Sequence, residues 1–404
     1  MDPETLFGLA LGLTPPWQVR RIEFSTETAR LDIYLDFPRG ATFRCPACGV
    51  AEAKAYDTAE EAWRHLNFFQ YEAYLHARAP RVQCPGACGI KTVEVPWARS
   101  DSGFTRLFEA LIMVLVREMP VAAIAKLFGV HDTRLWRVIH HYVDGARAHE
   151  DFSAVRQVGM DETSSRRGHR YISLFVDLER SKALFATEGK DASTVEAFKT
   201  DLEAHGGLTA QVTEVACDMS PAFIAGVQAQ FPSAQITFDK FHLLKLLNEA
   251  VDQVRREEQK SCPELKRSRY VWLTNPPNLT AAQQATLGRL KDRKLKTVRA
   301  YHLRLTFQEF WTHPVEQADG FLRRWFFWAT HSRLPPMREA AYTIKRHWDG
   351  VLRWFTSHIN TGVLEGINSL VQAAKARARG YRTTRNLITM VYLIAGKLKF
   401  ALPT

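Results

Sequence analysis

The order of strand-like and helix-like segments between residues 158 and 258 constrains the fold of this chain more than any other feature. Strand patterns here are short apolar runs, whereas helix patterns repeat their apolar residues every three to four positions. Strand patterns cover 158–161, 170–178, 182–188, 212–218 and 234–239, and helix patterns cover 191–207, 221–231 and 240–258. The chain order is therefore βββαβαβα, the order of a core built on one sheet with helices packed against it.

This order resembles that of the ribonuclease-H-like core, a mixed sheet in which the first and fourth strands are parallel neighbours. Asp161 ends the first strand pattern and Asp218 ends the fourth. Both carboxylates are therefore expected at one rim of the sheet, where open α/β sheets bind ligands. Two carboxylates so close repel each other, and a divalent cation such as Mg²⁺, which favours carboxylate oxygens, relieves the repulsion.

A third acid, Glu365, lies near the start of a last predicted helix that begins near Thr361. At about 100° per residue, this helix has a polar stripe and an apolar side. The stripe contains Glu365, Asn368, Gln372, Lys375 and Arg379, and the apolar side contains Ile367, Leu370, Val371, Ala374 and Ala378. If the apolar side packs on the sheet, Glu365 closes the metal site, and Lys375 and Arg379 hold DNA phosphates. An ordinary amphipathic helix with a solvated glutamate is the alternative that periodicity leaves open.

Four of the six cysteines form two pairs near the N-terminus, Cys45 with Cys48 and Cys84 with Cys88. Short spacings let both thiolates of a pair reach one tetrahedral ion, and a glycine follows each pair. The pairs predict a structural Zn²⁺ site, because four thiolates leave no open position for a catalytic water. Four unrelated buried cysteines are the alternative.

Apolar residues recur at helical spacing over 103–143, and Gly129 separates two helix patterns within that stretch. This is the rhythm of a helix-turn-helix with glycine in the turn. Thr133, Arg134 and Arg137 would then face the groove or the backbone of DNA. A helical hairpin in an ordinary bundle fits the pattern equally well.

The basic charge of the chain is clustered. The net charge is +11, and the stretch from Arg289 to Arg304 holds seven Lys/Arg and one acid. After Glu365 there are seven Lys/Arg and no acid. Such clustering favours a phosphate-binding surface. No apolar run approaches the roughly 20 residues that a bilayer span needs, and acids precede the first apolar run, so we expect a soluble, cytoplasmic protein with no membrane segment.

The sequence resembles the DDE transposases of bacterial insertion sequences, in particular the ISL-three family, over nearly its whole length. The strings that carry the resemblance are CPACG…CPGACG, EMPVAAIAKLFGVHDTRLWRV, VGMDETS…YISLFVDL, ACDMSPAFIAGV, ITFDKFHL and NTGVLEGINSLVQAAKARARGYR. The resemblance implies Asp161, Asp218 and Glu365 as the catalytic triad and as ligands of Mg²⁺ or Mn²⁺. The second cysteine pair departs from the common pattern, since it has three intervening residues where two are usual.

The resemblance also implies a function. The protein would bind the terminal inverted repeats of its own element and cleave and join DNA by two-metal in-line phosphoryl transfer, with ions roughly 4 Å apart. Its partners would be double-stranded DNA, as ends and as target, and a second copy of the chain, since two ends must be paired. It would act at the bacterial nucleoid. The alternatives are an inactive, zinc-containing DNA-binding regulator and a structure-selective nuclease of the same fold.

The predicted fold class is multidomain, α+β and α/β, with a ribonuclease-H-like mixed-sheet core interrupted by an all-helical insertion. The predicted domains are a zinc-binding module at 1–99, a helix-turn-helix domain at 100–150, the first part of the catalytic core at 151–256, the insertion at 257–350 and the last part of the core, with the third acid, at 351–404.

Two basic or aromatic features add candidate DNA contacts. Arg166 and Arg167 lie in a basic loop behind Asp161, although a solvated hairpin loop is an equal alternative. Tryptophans of the insertion, among them Trp272, Trp311, Trp325 and Trp328, either stack on unpaired bases or fill a helical core. The i, i+3 spacing of the last two predicts that at least one is buried.

The stretch FDKFHLLK places Asp239 after the fifth strand pattern and His242 one helical turn later. The pair resembles a C/D-x-x-H signature found after the second acid in other transposase groups, which implies a catalytic role for His242. A histidine there could donate a hydrogen bond to a phosphate or shuttle a proton near neutral pH. The local alternative is that Asp239 caps the helix and His242 packs at the sheet edge.

Overall fold

The structure is a computed structural model that describes residues 1–50, 53–86, 88–166, 168–359 and 361–402. The chain forms two compact units, one from Met1–Asp144 with the residues from Lys399 onward, and one from Gly145–Leu398. Within the described residues, no helix is both long enough and apolar enough to cross a bilayer.

The first unit contains a six-stranded sheet with the strand order β1-β2-β5-β4-β3, in which β6 also pairs with β5. Its elements are helix α1 (Pro3–Ala10) and strands β1 (Gln18–Ser25), β2 (Arg30–Asp36), β3 (Thr42–Phe43), β4 (Ala53–Arg64), β5 (Glu72–Gln83) and β6 (Ile90–Thr92). Buried residues alternate along β2, where Leu31, Ile33 and Leu35 face the core, as a strand with one covered face requires. The core is completed by three buried tryptophans, Trp17, Trp63 and Trp97.

Three helices follow, α2 (Arg106–Glu118), α3 (Val121–Phe128) and α4 (Asp132–Ala148), of which the last extends four residues past the end of the first unit at Asp144. Thr105 caps α2 by accepting a hydrogen bond from the Phe108 amide, at 3.3 Å. Helix α3 ends at Gly129, whose φ of 62° is a left-handed conformation that glycine adopts without strain. The short helix, glycine turn and second helix lie where the sequence predicts them.

The second unit is built on a five-stranded mixed sheet with the order β11-β10-β7-β8-β9. The strands are β7 (Gln157–Arg166), β8 (Arg170–Asp177), β9 (Lys182–Glu188), β10 (Glu214–Cys217) and β11 (Gln235–Phe238). Strands β7, β8 and β9 are antiparallel, whereas β10 runs parallel to both β7 and β11. The strands that precede the first two acids are therefore parallel neighbours, as predicted.

Helices α5 (Ala192–Ala204), α6 (Pro221–Gln230) and α7 (Lys240–Glu258) connect and extend this sheet. The sequence predicted a Ser/Thr cap for α5. The cap is instead Asp191, whose carboxylate accepts from the Ser193 amide at 3.0 Å. Aspartate serves here because it matches serine as a cap residue and its charge is favourable at a helix N-terminus.

The segment after α7 is helical, as predicted. Its helices are α8 (Arg269–Leu273), α9 (Ala281–Leu290), α10 (Lys296–Glu309), α11 (Val315–His331), α12 (Pro335–Arg346), α13 (Trp348–Leu352) and α14 (Trp354–Ser357). Trp272, Trp311 and Trp325 are buried in its core, so the stacking interpretation is wrong for these three. Trp328 is 49% exposed, which leaves one tryptophan of the four for stacking.

The chain ends with two helices, α15 (Gly362–Arg377) and α16 (Thr384–Ala395), where the sequence predicted a single one. Residues 379 and 380 have positive φ angles and end α15, and Thr383 then caps α16. On the predicted apolar side, Ile367, Val371 and Ala374 are buried, Ala378 is half-buried just after the helix, and Leu370 is 54% exposed. Leu370 lies about 60° around the helix from Ile367, at the margin of the apolar face.

Candidate active site

Asp161 and Asp218 lie at the same level of the mixed sheet. Gly159 of β7 pairs with Ala216 of β10, so each acid lies two residues beyond this pair. The sequence predicted that Asp161 ends its strand. The strand instead continues, because β8 pairs with β7 as far as Arg166. The site is therefore at the rim where β10 stops and the β7–β8 hairpin continues.

Asp161 is a half-buried carboxylate with two hydrogen-bond donors. The Glu162 amide donates to its Oδ1 at 2.8 Å, and the Asn368 side-chain amide donates to its Oδ2. The pKa of Asp161 is raised to about 6, mainly by burial and also by the charges of Asp218 and Asp239, while His242 and the Glu162 amide oppose the shift. The carboxylate thus lies in a crowded anionic site that a cation would relieve.

Asp218 follows β10 and is half-buried. Its Oδ1 accepts a hydrogen bond from the Ser220 amide at 2.9 Å, immediately before helix α6 begins. This turn fixes one carboxylate oxygen at the sheet rim and leaves the other without a protein donor among the described residues.

Asp239, which is buried, and His242, which is half-buried, form a pair at the same rim. Asp239 caps α7 by accepting from the Phe241 amide at 2.9 Å, and it also accepts from Thr361 Oγ1 at 2.8 Å. Its second oxygen lies 3.2 Å from His242 Nδ1. Burial opposes charge on both groups, but the hydrogen bonds outweigh it and lower the pKa of Asp239. The same hydrogen bond and the charge of Asp161 raise the pKa of His242.

Glu365 lies in the first turn of α15 and is exposed. Partial burial and the charge of Asp239 raise its pKa, while His242 opposes the shift, so Glu365 lies near that pair. Within the described residues, Asp161, Asp218 and Glu365 do not converge into a closed set of ligand atoms.

The polar stripe of α15 packs along β7. After Asn368, Gln372 donates to Thr163 Oγ1 at 2.5 Å, and Lys375 donates to the Ser164 carbonyl at 2.5 Å. The stripe was predicted from the sequence, but its partner was not, because helical periodicity does not identify the surface that a polar side faces. Lys375, predicted to hold DNA, is engaged with the strand.

The remaining predicted DNA contacts differ in their surroundings. Thr133 and Arg137 are exposed on α4. Arg134 donates to the Gly103 carbonyl at 3.1 Å, and its guanidinium lies 4.3 Å from the centre of the Phe104 ring. Arg166 donates to the Tyr381 carbonyl at 3.1 Å, Arg379 is exposed, and Arg167 lies outside the described residues.

The four paired cysteines converge in the first unit. Their Sγ atoms all lie within 4.8 Å of one another, and Cys48 Sγ is 3.4 Å from Cys84 Sγ. Tetrahedral Zn²⁺ with bonds of about 2.3 Å requires sulfur–sulfur distances of about 3.8 Å, so the cluster fits this ion. A glycine with a left-handed conformation turns the chain after each pair, at Gly49 and Gly89.

The cysteine thiols perturb one another strongly. The Gly86 amide donates to Cys84 Sγ, and this bond is the main cause that lowers the pKa of Cys84 to about 6. Hydrogen bonds with Cys48 and Cys84 raise the pKa of Cys88 to about 12. Four thiolates this close need a cation, and a structural zinc would supply it.

Comparison with known proteins assigns a family to each part of the chain. A family model described as a transposase matches residues 158–391. A model of the helix-turn-helix domain of transposase family ISL3 matches 93–143, and a model of the zinc-finger of transposase IS204/IS1001/IS1096/IS1165 matches 41–88.

Individual relatives agree. The transposase for insertion sequence element IS1557 of Mycobacterium tuberculosis is 28% identical over 437 residues, which cover 98% of this chain and 97% of the relative. The transposase for insertion sequence element IS1001 of Bordetella parapertussis is 28% identical over 387 residues, covering 91% and 93%. A simian T-cell lymphotropic virus intasome in complex with a PP2A regulatory subunit matches 44% of this chain and 64% of its own at 16% identity, with a TM-score of 0.19 that carries no conclusion.

Proposed function

Since the chain belongs to the ISL3 family of insertion-sequence transposases, we propose that it binds the terminal inverted repeats of its own element and carries out metal-dependent DNA cleavage and strand transfer. The observation that carries this proposal is the group of acids at one sheet rim, with Asp161 crowded by Asp218 and Asp239. Its fold is proposed to be ribonuclease-H-like, which the strand order and the mixed pairing of the five-stranded sheet support.

Asp161, Asp218 and Glu365 are the proposed catalytic triad and the ligands of Mg²⁺ or Mn²⁺. When bound, such ions would supply activation of the attacking water or 3′-hydroxyl and stabilisation of the leaving oxygen. The protein supplies the positions of its carboxylates: the Glu162 amide and Asn368 orient Asp161, and the Ser220 amide orients Asp218. Positioning and charge carry the rate without a covalent enzyme intermediate.

His242 is proposed to act beside the triad. Because Asp239 holds its Nδ1, its Nε2 is the nitrogen available to a phosphate oxygen. The raised pKa of His242 favours the protonated ring, which donates a hydrogen bond rather than accepting one.

The N-terminal modules are proposed to read the DNA ends. A structural zinc would be held by Cys45, Cys48, Cys84 and Cys88. The proposed domain limits are those predicted from the sequence, near residues 99, 150, 256 and 350. Thr133 and Arg137 would contact DNA directly, whereas Arg134 would position α4 through Gly103. Pairing two ends requires at least a dimer, acting on DNA in the bacterial cytoplasm.

The test is to incubate the zinc-loaded protein with DNA that carries the flanks of its own gene, in Mg²⁺ or Mn²⁺, and to map the cut ends. Cuts at the two inverted repeats support the proposal. Binding without cutting would favour the regulator, and cutting without need of a repeat would favour the nuclease.

A further inference from the structure

A cavity of about 390 Å³ opens beside helix α7 in the second unit, and its wall combines apolar side chains such as Phe241 and Leu244 with a group of polar ones. It is lined by Lys245 and Asn248 of α7, by Asn275 after α8, and by Arg304 and Gln308 of α10. Asn248 lies six residues after His242, or about 9 Å along the helix axis. The cavity is therefore a near neighbour of the proposed catalytic rim and is distinct from it.

Arg304 is the unusual member of this lining. Its side chain is 2% exposed, yet no carboxylate of the described residues pairs with it. It donates to Asn248 Oδ1 at 2.6 Å, to Asn275 Oδ1 at 2.7 Å and to the Leu273 carbonyl at 3.0 Å. The Nη1 atom of Arg304 is buried and has no hydrogen-bond partner among the described residues. A guanidinium stays charged in proteins, so its burial beside neutral acceptors alone leaves a positive charge uncompensated.

The amide groups around Arg304 accept from it through their oxygens, and both asparagines line the cavity. Arg304 only donates, so the oxygens of Asn248 and Asn275 must face it. Gln308 Nε2 also donates to Asn275 Oδ1, at 2.8 Å. The NH₂ groups of Asn248 and Asn275 are then free to donate elsewhere, beside the ammonium of Lys245. A cation, further donors and no acid form a site that favours an oxyanion.

We propose that this cavity binds a phosphate group, and that the group belongs to the strand of DNA that crosses the catalytic rim. The second half rests on the proposed function. Asn248 lies about 9 Å along α7 from His242, so a phosphate in the cavity would be within a few nucleotides of the cleavage point. Phe241, which is 49% exposed at the cavity wall, would contact the adjoining nucleotide.

Asn275→Asp is the informative variant, because it places a carboxylate of the same shape where Arg304 lacks one. We expect a higher Tm for this variant without phosphate, since the buried charge is now paired. We also expect that inorganic phosphate, compared with chloride at equal ionic strength, raises the Tm of the wild type but not of the variant. Gln228→Glu is the matched control, because it adds the same negative charge at an exposed position of α6. Asn248→Asp tests the other side of Arg304 independently.

Binding of duplex DNA over a range of salt concentrations then distinguishes a strand phosphate from a free one. Loss of one phosphate contact lowers the slope of log K against log [salt] by about 0.9 in Asn275→Asp, and leaves it unchanged in Gln228→Glu. An equal effect of phosphate on the Tm of the wild type, Asn275→Asp and Gln228→Glu would overturn the site. A lost phosphate effect with an unchanged DNA slope would overturn its assignment to DNA. Because both readouts are binding, a protein that never cuts DNA refutes the proposed function and leaves the phosphate result intact.

Discussion

Asn368 of helix α15 donates a hydrogen bond from Nδ2 to Oδ2 of Asp161 in strand β7. The bond joins the helix that carries Glu365 to the strand that carries the first acid. Gln372 and Lys375 of the same helix donate further hydrogen bonds to β7. The Oδ1 atom of Asn368 is buried and has no hydrogen-bond partner among the described residues. The side chain therefore interacts there only as a donor, to Asp161.

Replacing Asn368 is predicted to misplace Asp161 without removing an acid. Asn368→Ala should lower the cleavage rate about 10²-fold, the effect of a small misplacement in a positioned site, and leave DNA binding unchanged. Single-turnover cleavage and gel-shift binding measure the two effects. Ser369→Ala, a neighbouring exposed position, is the control. Cleavage that falls only as the folded fraction falls would make Asn368 merely structural.

The zinc site is predicted to hold the fold of its module. Cys45→Ser or Cys84→Ser should lose the metal, lower the Tm and weaken binding to the DNA ends, because three ligands remain for an ion that binds four. Cys262→Ser, a cysteine outside the cluster, should retain it. Elemental analysis of protein purified without chelator gives the zinc content, and a wild type without zinc would refute the site.

His242 is predicted to act in catalysis. His242→Ala should slow cleavage about 10²-fold, with nearly unchanged Tm and DNA binding. Asp239→Asn is the companion variant, since asparagine still caps α7 but removes the charge that holds the imidazolium. It should also slow cleavage. If His242→Ala instead melts early and cleaves in proportion to its folded fraction, the residue packs and does not act.

The tryptophans of the helical segment are predicted to separate into two groups. Trp325→Ala should lower the free energy of unfolding by about 3–5 kcal/mol, because the side chain is fully buried. Trp328→Ala should change it by less than about 0.5 kcal/mol, yet weaken DNA binding roughly tenfold if the ring stacks on a base. Urea unfolding and DNA binding measure both, with exposed Tyr270→Ala as the control. Normal DNA binding by Trp328→Ala would exclude stacking.

Local patterns predicted much of the fold. Helix α7 lies where its apolar periodicity indicates, and the strands before Asp161 and Asp218 are parallel neighbours. Strand β4 was missed because most of its residues are exposed, so it lacks the apolar alternation of a half-buried strand, and pairing with β5 defines it instead. The helical segment was correct in type, but periodicity could not tell which tryptophans face its core.

The candidate site was likewise predicted only in part from the sequence. The acids and cysteine pairs were visible from residue type and spacing, which are properties of the chain alone. The roles of Asn368, Gln372 and Arg304 were not, because each depends on a partner that is remote in sequence. The outward extension of β7 beyond Asp161 likewise follows from pairing with β8 rather than from its own residues.

Cleavage of DNA ends by the three acid variants tests the central claim most directly. Asp161→Asn, Asp218→Asn and Glu365→Gln keep the shape of each side chain but remove the charge that the catalytic metal ions need. Each should bind the inverted repeats as the wild type does, with no detectable cleavage or strand transfer in Mg²⁺. Near-normal cleavage by any one of them would contradict the assignment of that residue to the triad.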